Sequence, residues 1–408
     1  MAEAWLAWWK VILLGVLTVG SYGLVAYGFG VLIGPIHDDT GWPVGSLSAA
    51  FTLSLLVGGL GGVASGWLLD RLGGRPVLVT SLAIGGLFLV ASASAQTVLL
   101  FVITWAVGAG IIGAGLFYNV TMALTARLFP EHRVRAFSIL TFVGGFASVL
   151  YFPLVGLLVD LLGWRPALRV GVVLLTLHAL PAILLISGGA AASVGGPSQK
   201  GAGDGFGNIL GAFRSHQVVQ MIGMFAVAAM AFAAIQVLHV PAMTAAGASL
   251  STATVVASAR GFLSLPGRAL MGPVVERIGV PNAIGLAYVL MAVGTLPLAI
   301  GGQLGWLVVF MVLTGLAFGT ISPLHGLYAA EVYGERRIGT LMGIQSFVVS
   351  LVSATGPVIL GITVDLTGGY PLAIVAISAL FVAAFLLLVS RPRLTRVDDL
   401  WASADAPK

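Results

Sequence analysis

The sequence predicts an all-α integral membrane protein, with twelve transmembrane helices arranged in two pseudo-symmetric six-helix bundles. Three observations support this prediction. Of the 408 residues, 59% are hydrophobic and only 8% are charged; apolar segments of span length recur along the chain; and motifs of the first half return in the second. A soluble domain carries about 25% charged residues, so the composition excludes a soluble protein.

Twelve segments are long and apolar enough to cross a bilayer, which takes about 20 residues. The predicted helices occupy 11–34, 46–69, 77–95, 98–126, 136–159, 166–187, 217–241, 250–274, 281–300, 305–330, 338–363 and 370–390. The first is too long for a signal-peptide core, so we expect it to be retained. The chain has no cysteine, which excludes disulfides, thiolate nucleophiles and cysteine metal sites.

A Gly/Ser-rich stretch, GGAAASVGGPSQKGAGDGFGN, follows the sixth helix and has linker composition. It predicts an N-terminal bundle (1–188), a cytoplasmic linker (189–216), a C-terminal bundle (217–393) and a cytoplasmic tail (394–408). Lysine and arginine accumulate on the cytoplasmic side of membrane proteins. With both termini in the cytoplasm, fifteen of them lie on that side and two, Arg165 and Arg169, on the other. We therefore expect a multi-pass protein of the cell membrane with this orientation.

Three motifs of the first half have counterparts in the second. GWLLDRLGGR (66–75) matches GPVVERIGVP (272–281), RLFPEHRVRAF (127–137) matches EVYGERRIGTL (331–341), and PLVGLLVDLLGW (153–164) matches PVILGITVDLTGGY (357–370). The first match pairs Gly66 with Gly272, Asp70 with Glu276, Arg71 with Arg277 and Gly73 with Gly279. Repeated six-helix halves are typical of a rocking transporter, whose site lies between the halves near the midplane.

GWLLDRLGGR resembles the Gly-x-x-x-Asp-Arg-x-Gly-x-Arg loop signature of the major facilitator superfamily. With twelve spans, a central linker and a second copy of the motif, the resemblance covers nearly the whole chain. It implies the major facilitator fold and a carrier whose cytoplasmic gate forms at these loops. The gate residues that it implies are Gly66, Asp70, Arg71, Gly73, Arg75, Gly272, Glu276 and Arg277.

A narrower resemblance links LFPEHRVRAFSILTFVGGFASVLYFPLVGLLVDLLGWRPA (128–167) to the bacterial monocarboxylate and oxalate:formate antiporter-like branch of that superfamily. The eighth-helix segment GRALMG is similar to the branch's arginine four residues before a glycine, and this implies that Arg268 binds the substrate carboxylate. The sequence departs from the pattern at two positions. Ser264 replaces the acidic residue of animal monocarboxylate transporters, and the eleventh helix has Gln345 instead of the lysine of the oxalate antiporter.

Two arginines interrupt the predicted eighth helix, and an arginine at mid-bilayer costs at least a few kcal/mol. Arg260 falls near mid-depth and Arg268 nearer the cytoplasm. Eight helical residues give a rise of about 12 Å, so one carboxylate cannot meet both head groups. A guanidinium binds both oxygens of a carboxylate, which makes each arginine a candidate substrate ligand; a gate ion pair is the alternative for Arg268. Pro266 and Gly267 are expected to loosen the helix between them.

Other polar residues on the predicted helices are candidates for hydrogen bonds to the substrate, and a helix–helix hydrogen bond is the alternative for each. These candidates are Tyr27, Tyr118, Asn119, Gln236, His325, Tyr328 and Gln345. Histidine changes charge near neutral pH, so His239 and His325 are candidates for proton coupling, with a hydrogen-bonded structural role as the alternative. Glu331 is a further candidate, with a cytoplasmic salt bridge as its alternative.

The predicted function is secondary active transport of a small organic anion, a monocarboxylate, by alternating access and coupled to protons. The alternatives are an exporter of drugs or other hydrophobic molecules, an anion exchanger, and a transporter-like sensor. The segment YFPLVGLL supplies only Pro153 and Gly156 of the Gly-Pro-x-x-Gly-Gly motif expected of a drug exporter. We find no motif for a metal cluster, nucleophile elbow or phosphate loop, so we expect no enzyme activity, cofactor, metal or nucleic-acid partner. The expected partners are the substrate anion, a proton and the bilayer, and we expect a monomer.

Overall fold

The computed structural model describes residues 2–129, 131–186, 215–333 and 338–390. The predicted linker 189–216 falls outside these ranges except for its last two residues. The predicted tail 394–408 lies wholly outside the described residues. All of the predicted site and gate residues lie inside them.

The described residues form twelve helical spans, α1–α12, in the predicted order. In the first half they are α1 (Ala2–Tyr22, a π-helical turn Gly23–Tyr27, and Gly28–Thr40), α2 (Val44–Leu72), α3 (Gly74–Ser92), α4 (Val98–Leu116 and Tyr118–Leu128), α5 (Arg133–Gly144 and Phe146–Leu162) and α6 (Trp164–Leu185). In the second half they are α7 (His216–Ala245), α8 (Leu250–Ile278), α9 (Val280–Thr295 and Pro297–Ile300), α10 (Leu304–Phe318 and Ile321–Tyr333), α11 (Ile338–Thr367) and α12 (Pro371–Val389).

Eleven of these spans are long and apolar enough, within the described residues, to cross a membrane. The exception is α8, because Arg260 and Arg268 interrupt its apolar sequence. It packs against α5 of the first half and α10 of the second. Neighbouring helices therefore cover Arg260, whereas Arg268 stays exposed.

The two halves repeat one packing scheme. In the first, α1 packs on α5 and α6, α2 on α4, and α3 on α4 and α6; in the second, α7 packs on α11 and α12, α8 on α10, and α9 on α10 and α12. The turns agree as well, since Gly73 after α2 and Gly279 after α8 have φ angles of 83° and 79°. Glycine adopts this left-handed backbone without steric penalty. The structure thus has the twofold repeat that the sequence motifs predict.

The halves meet along three helix pairs, α2–α11, α5–α8 and α1–α7. A Cβ built on Gly361 of α11 would lie 2.6 Å from the Ser48 Oγ of α2, and one built on Gly156 of α5 would lie 2.8 Å from Thr254 Cγ2 of α8. Both contacts lie where α2 and α8 begin and α5 and α11 end. We call this end of the bundle the Asp365 end, and the opposite end, where α2 finishes, the Asp70 end.

The same helices separate towards the Asp70 end. Val63 of α2 is 78% exposed and Phe347 of α11 is 66% exposed. In the described structure nothing lies within 4 Å of a Cβ built on Gly59 or Gly66 of α2. In the part of the chain that the structure describes, the two halves are therefore closed against each other at the Asp365 end and open at the Asp70 end.

α8 is one helix, Leu250–Ile278, that includes Pro266. Pro266 has no N–H to donate within the helix, so the expected loosening at this position stays a prediction. Gly267 has another use, because a Cβ there would lie 2.2 Å from the Leu316 carbonyl oxygen of α10. The glycine allows the backbones of α8 and α10 to approach closely beside the two arginines.

Candidate substrate-binding site

Arg260 lies in the middle of α8 and is only 2% exposed. Its Nε donates a hydrogen bond of 2.9 Å to Thr314 Oγ1 on α10. The guanidinium carbon lies 4.4 Å from the ring centroid of Phe318 and 5.5 Å from that of Phe310, both also on α10. Nη2 is buried and has no hydrogen-bond partner among the described residues. A buried charge needs partners, so this guanidinium has binding capacity that the protein leaves unused.

His239 and Gln236 bring two more unpartnered atoms from α7. The His239 Nδ1 lies 2.7 Å from the carbonyl oxygen of Ile235, and since a carbonyl only accepts, Nδ1 donates. The His239 Nε2 and the Gln236 Oε1 are buried without a partner among the described residues. The His239 ring centroid lies 6.0 Å from that of Phe310, which also contacts Arg260. Buried polar atoms normally have partners, so this cluster is suited to a polar ligand.

Aromatic rings from both halves enclose this cluster. Phe152 of α5 lies 5.2 Å from the His239 ring and 5.6 Å from the Tyr27 ring of α1. Tyr27 ends the π-helical turn of α1, and such turns are frequent at functional sites. The Tyr27 hydroxyl also lies within electrostatic range of Arg260 and Arg268. The site is therefore built from both halves of the protein.

Arg268 lies two helical turns from Arg260 in the direction of the Asp70 end, and it is exposed. Its side chain lies against Gly319 of α10, where a Cβ would be 2.8 Å from Nε. It is within electrostatic range of Tyr27 and Tyr118. The structure therefore separates the two arginines, with Arg260 enclosed and Arg268 accessible on the open side.

Tyr118 and Asn119 lie at a break in α4, at Phe117. The Asn119 side-chain amide donates a hydrogen bond of 2.9 Å to the carbonyl oxygen of Ala114, which satisfies a backbone group at the break. The Tyr118 ring lies 5.1 Å from that of Tyr22 on α1. Tyr118 thus lies on the same side as Arg268, whereas the amide of Asn119 is already engaged by the backbone.

His325 and Gln345 make hydrogen bonds inside the second half, and Tyr328 packs against a ring of the same half. The His325 Nε2 lies 2.6 Å from the Tyr288 hydroxyl of α9, and its ring stacks at 3.9 Å on Phe225 of α7. Tyr328 is buried and meets Phe225 edge-on, at 6.3 Å. The Gln345 Oε1 accepts a 2.8 Å hydrogen bond from the hydroxyl of Tyr333. These contacts match the helix–helix alternative, and they are not contacts with the Arg260 cluster.

Glu331 is half-buried on α10, near the Asp70 end. At the same end, Asp70 of α2 forms an ion pair with Arg127 of α4. Arg127 Nη1 also donates to the Leu69 carbonyl oxygen, at 3.1 Å, and the Arg71 guanidinium carbon lies 4.1 Å from the Trp67 ring centroid. The Asp70 side chain is largely exposed, so its ion pair contributes little to stability.

The remaining predicted gate residues do not form a comparable pair with any described residue. Arg75, Glu276 and Arg277 are exposed, and Gly272 has open space around it among the described residues. This openness agrees with the separation of the halves at the Asp70 end. Between residues 2–129, 131–186, 215–333 and 338–390, Asp70 with Arg127 is thus the one implied gate contact that is formed.

Sequence reasoning missed the α10 and α5 residues around Arg260. Phe310, Thr314 and Phe318 follow a spacing of four residues, which places them on one helical face. Nothing in that spacing separates them from ordinary packing residues of an apolar helix. Only the position of α8 beside α10 identifies them as partners of Arg260.

The repeated halves, the shared site and the opening at one end define a membrane transporter of the rocking type. Comparison with known families agrees, and the chain belongs to the Major Facilitator Superfamily, whose sequence profile matches residues 15–243 and again residues 222–405. It is accordingly a multi-pass membrane transporter and not an enzyme. No curated protein sequence matches the chain significantly.

Solved structures of other transporters share the fold. A mutant of the nucleoside transporter NupG superposes with a TM-score of 0.82 at 12% identity, covering 94% of this chain and 99% of its own. A D-xylose-proton symporter gives 0.70 at 15% identity, covering 95% and 99%. A bacterial homologue of the human lysosomal transporter Spinster, inward-facing and unoccupied, gives 0.69 at 15% identity, covering 94% and 97%.

Proposed function

We propose that this transporter carries a small organic anion, a monocarboxylate, by alternating access and together with a proton. The observation that carries the proposal is the unpartnered Nη2 of Arg260, buried between α8 and α10. A carboxylate is the natural partner for this group, because a guanidinium forms short, charge-assisted hydrogen bonds to its oxygens. The surrounding aromatic rings favour a small ligand.

The proposed cycle follows from the charge of Arg260. With both termini in the cytoplasm, as the charge distribution predicts, the Asp70 end faces the cytoplasm and the conformation is inward-open. A bound carboxylate gives the buried guanidinium the hydrogen-bonding and charge partner that it lacks, which lowers the penalty for closing a low-dielectric site around it. The loaded carrier can then close at the Asp70 end and open at the other.

His239 is the group that we propose for proton coupling. A proton on its Nε2 would offset the negative charge of the substrate. The loaded site would then have the same net charge as the empty site, in which Arg260 carries the charge. His325 is a weaker candidate because its Nε2 already lies at hydrogen-bond distance from Tyr288. Glu331 lies closer to the Asp70 end and remains a candidate for a gate contact.

Two rival functions make different demands on the same site. An exporter of cationic drugs is disfavoured by the positive charge of Arg260, since like charges repel strongly in a dry site. An anion exchanger would use the same arginine but would not respond to a proton gradient. The charge of the substrate therefore distinguishes the drug exporter from the proposed function, and the response to a proton gradient distinguishes the anion exchanger.

The test is uptake of labelled lactate, pyruvate, acetate and oxalate into proteoliposomes, with and without an inward proton gradient. We expect a monocarboxylate to accumulate with the gradient. Arg260→Gln should abolish this uptake, and Arg268→Gln, the same change two turns away at an exposed position, is the matched control and should retain much of it. His239→Gln should keep anion exchange but lose gradient-driven accumulation.

Each negative result has a definite meaning. If none of the four carboxylates moves, or if Arg260→Gln transports normally, the proposed substrate class is wrong. If a carboxylate exchanges but ignores the gradient in the unmodified protein, the proton coupling is wrong and the anion exchanger stands.

A further inference from the structure

The start of α2 has unsatisfied backbone donors. The first N–H groups of a helix have no partner within it, and the residue before α2 is Pro43, whose side chain offers no cap. The cap comes from the other half of the protein. Asp365, on α11, accepts hydrogen bonds from the Val44 N–H at 2.9 Å and from the Gly45 N–H at 2.7 Å. A carboxylate also favours the positive end of the α2 dipole.

The helix faces next to this cap are closely packed, but some of their hydroxyl groups have no hydrogen-bond partner. Gly45 permits the approach, because a Cβ there would lie 2.7 Å from the Asp365 Oδ2. One and two turns further along α2, Ser48 Oγ and Thr52 Oγ1 are buried without a hydrogen-bond partner in the described residues. A permanent interface normally pairs such groups. Hydroxyls that gain water when the helices part are expected at a seam that opens.

The pseudo-symmetric position is built differently. Asp365 follows Gly361 of α11 by four residues, as Asp160 follows Gly156 of α5. Both carboxylates are exposed, but Asp160 has no hydrogen bond within the described part of the chain, whereas Asp365 has two. The helix that it faces, α8, is capped by its own Ser249, which accepts from Thr252 N at 3.1 Å. Only one of the two equivalent carboxylates bridges the halves.

A cavity of about 670 Å³ lies directly at the cap, and His37, Asp38, Asp365 and Tyr370 are among its lining residues. Burial and the two neighbouring carboxylates raise the pKa of the Tyr370 phenol, so no phenolate forms beside Asp365. Because the cavity admits water, the carboxylate can be hydrated when the cap breaks. The cap can therefore break without leaving the Asp365 charge in the membrane.

We propose that Asp365 is a latch that holds the transporter closed at the Asp365 end by capping α2 from the opposite half. Each opening of that end must break both hydrogen bonds, so the latch sets how often the end opens. The inference concerns conformation and is independent of the substrate. It assigns a role to the repeated motif PVILGITVDLTGGY, which the substrate site does not use.

The absence of cysteine from the sequence allows a direct test. Thr52→Cys introduces a single thiol that is buried while the seam is closed. In purified detergent-solubilised protein, we would measure its rate of labelling by a hydrophilic maleimide, in the Thr52→Cys background alone, with Asp365→Asn, and with Asp160→Asn as the matched control. Detergent removes any dependence on membrane orientation.

Asp365→Asn removes the charge but keeps the size of the side chain, so we expect the protein to fold and the labelling rate to rise about tenfold, the effect of losing one charge-assisted bond. Asp160→Asn should label at the background rate. A second variant, Asp365→Ala, removes every acceptor and should label at least as fast as Asp365→Asn. Equal labelling rates for the Asp365 variants and the control would overturn the latch.

Discussion

Replacing Arg260 by methionine should abolish transport without destabilising the protein. The variant keeps an unbranched apolar side chain in the same space and removes the charge. It loses the hydrogen bond to Thr314, worth about 1.5–3 kcal/mol for a charged donor, and the contact with Phe318, worth about 2 kcal/mol when desolvated. It also removes the desolvation penalty of a buried guanidinium, which is several kcal/mol, and such replacements are often neutral or stabilising by about 1–4 kcal/mol.

Thr314→Val makes the opposite change at the same contact. It keeps the buried charge but removes the acceptor for Nε, so we expect unfolding to become easier by about 1–3 kcal/mol. Thermal unfolding can be followed in both variants by intrinsic fluorescence, since the sequence has nine tryptophans. The expected order of melting temperatures is Arg260→Met at or above the unmodified protein, with Thr314→Val below it.

The reasoning is refuted by the reverse order. If Arg260→Met melts well below the unmodified protein and still transports, then Arg260 holds the helices together and does not bind substrate. Measuring both variants in the absence of substrate matters, because a ligand that binds the folded state raises its stability.

Three further predictions test other contacts. Gly66→Leu places a side chain in space that is open here, so it should leave the melting temperature unchanged but block closure at the Asp70 end and stop uptake; normal uptake would contradict this. Tyr333→Phe leaves the buried Gln345 Oε1 without its donor and should lower the unfolding free energy by about 1–3 kcal/mol, with no change in substrate preference measured by competition. Asn119→Ala removes the amide that bonds to Ala114 and should lower stability by about 1 kcal/mol; a large change in substrate affinity without that loss would show that Asn119 binds substrate.

The fold was predictable because short segments of the sequence, each read by itself, identify the helices and the turns between them. Apolar length identifies the spans, and the glycines at the ends of α2 and α8 recur at matching positions in the two motifs. The breaks at Phe117 in α4 and Gly145 in α5 were not predicted, because neither carries a strong local signal. Pro266 does not end α8, which continues to Ile278.

The candidate site was predictable only in part. Arg260 is visible in the sequence because a charge interrupts an apolar helix. That Arg260 is buried while Arg268 is exposed depends on their depth in the bundle and on the packing of α10 against α8. The partners of His325 and Gln345 depend on the rotation of α10 and α11 about their axes, which no spacing rule fixes. The cap on α2 joins residues in opposite halves of the chain, so Asp365 carried no signal beyond its place in a repeated motif.

The most direct test of the central claim is binding of a carboxylate to the purified transporter, measured as the shift in its melting temperature with lactate, pyruvate or acetate and with the uncharged amides lactamide and acetamide. We predict that at least one carboxylate stabilises the unmodified protein and the Arg268→Gln variant, and that the amides do not. Arg260→Gln should lose the shift, because removing one partner of a buried charge pair costs about 2–5 kcal/mol. Equal stabilisation by the amides, or an undiminished shift in Arg260→Gln, would contradict the assignment of Arg260 as the carboxylate ligand.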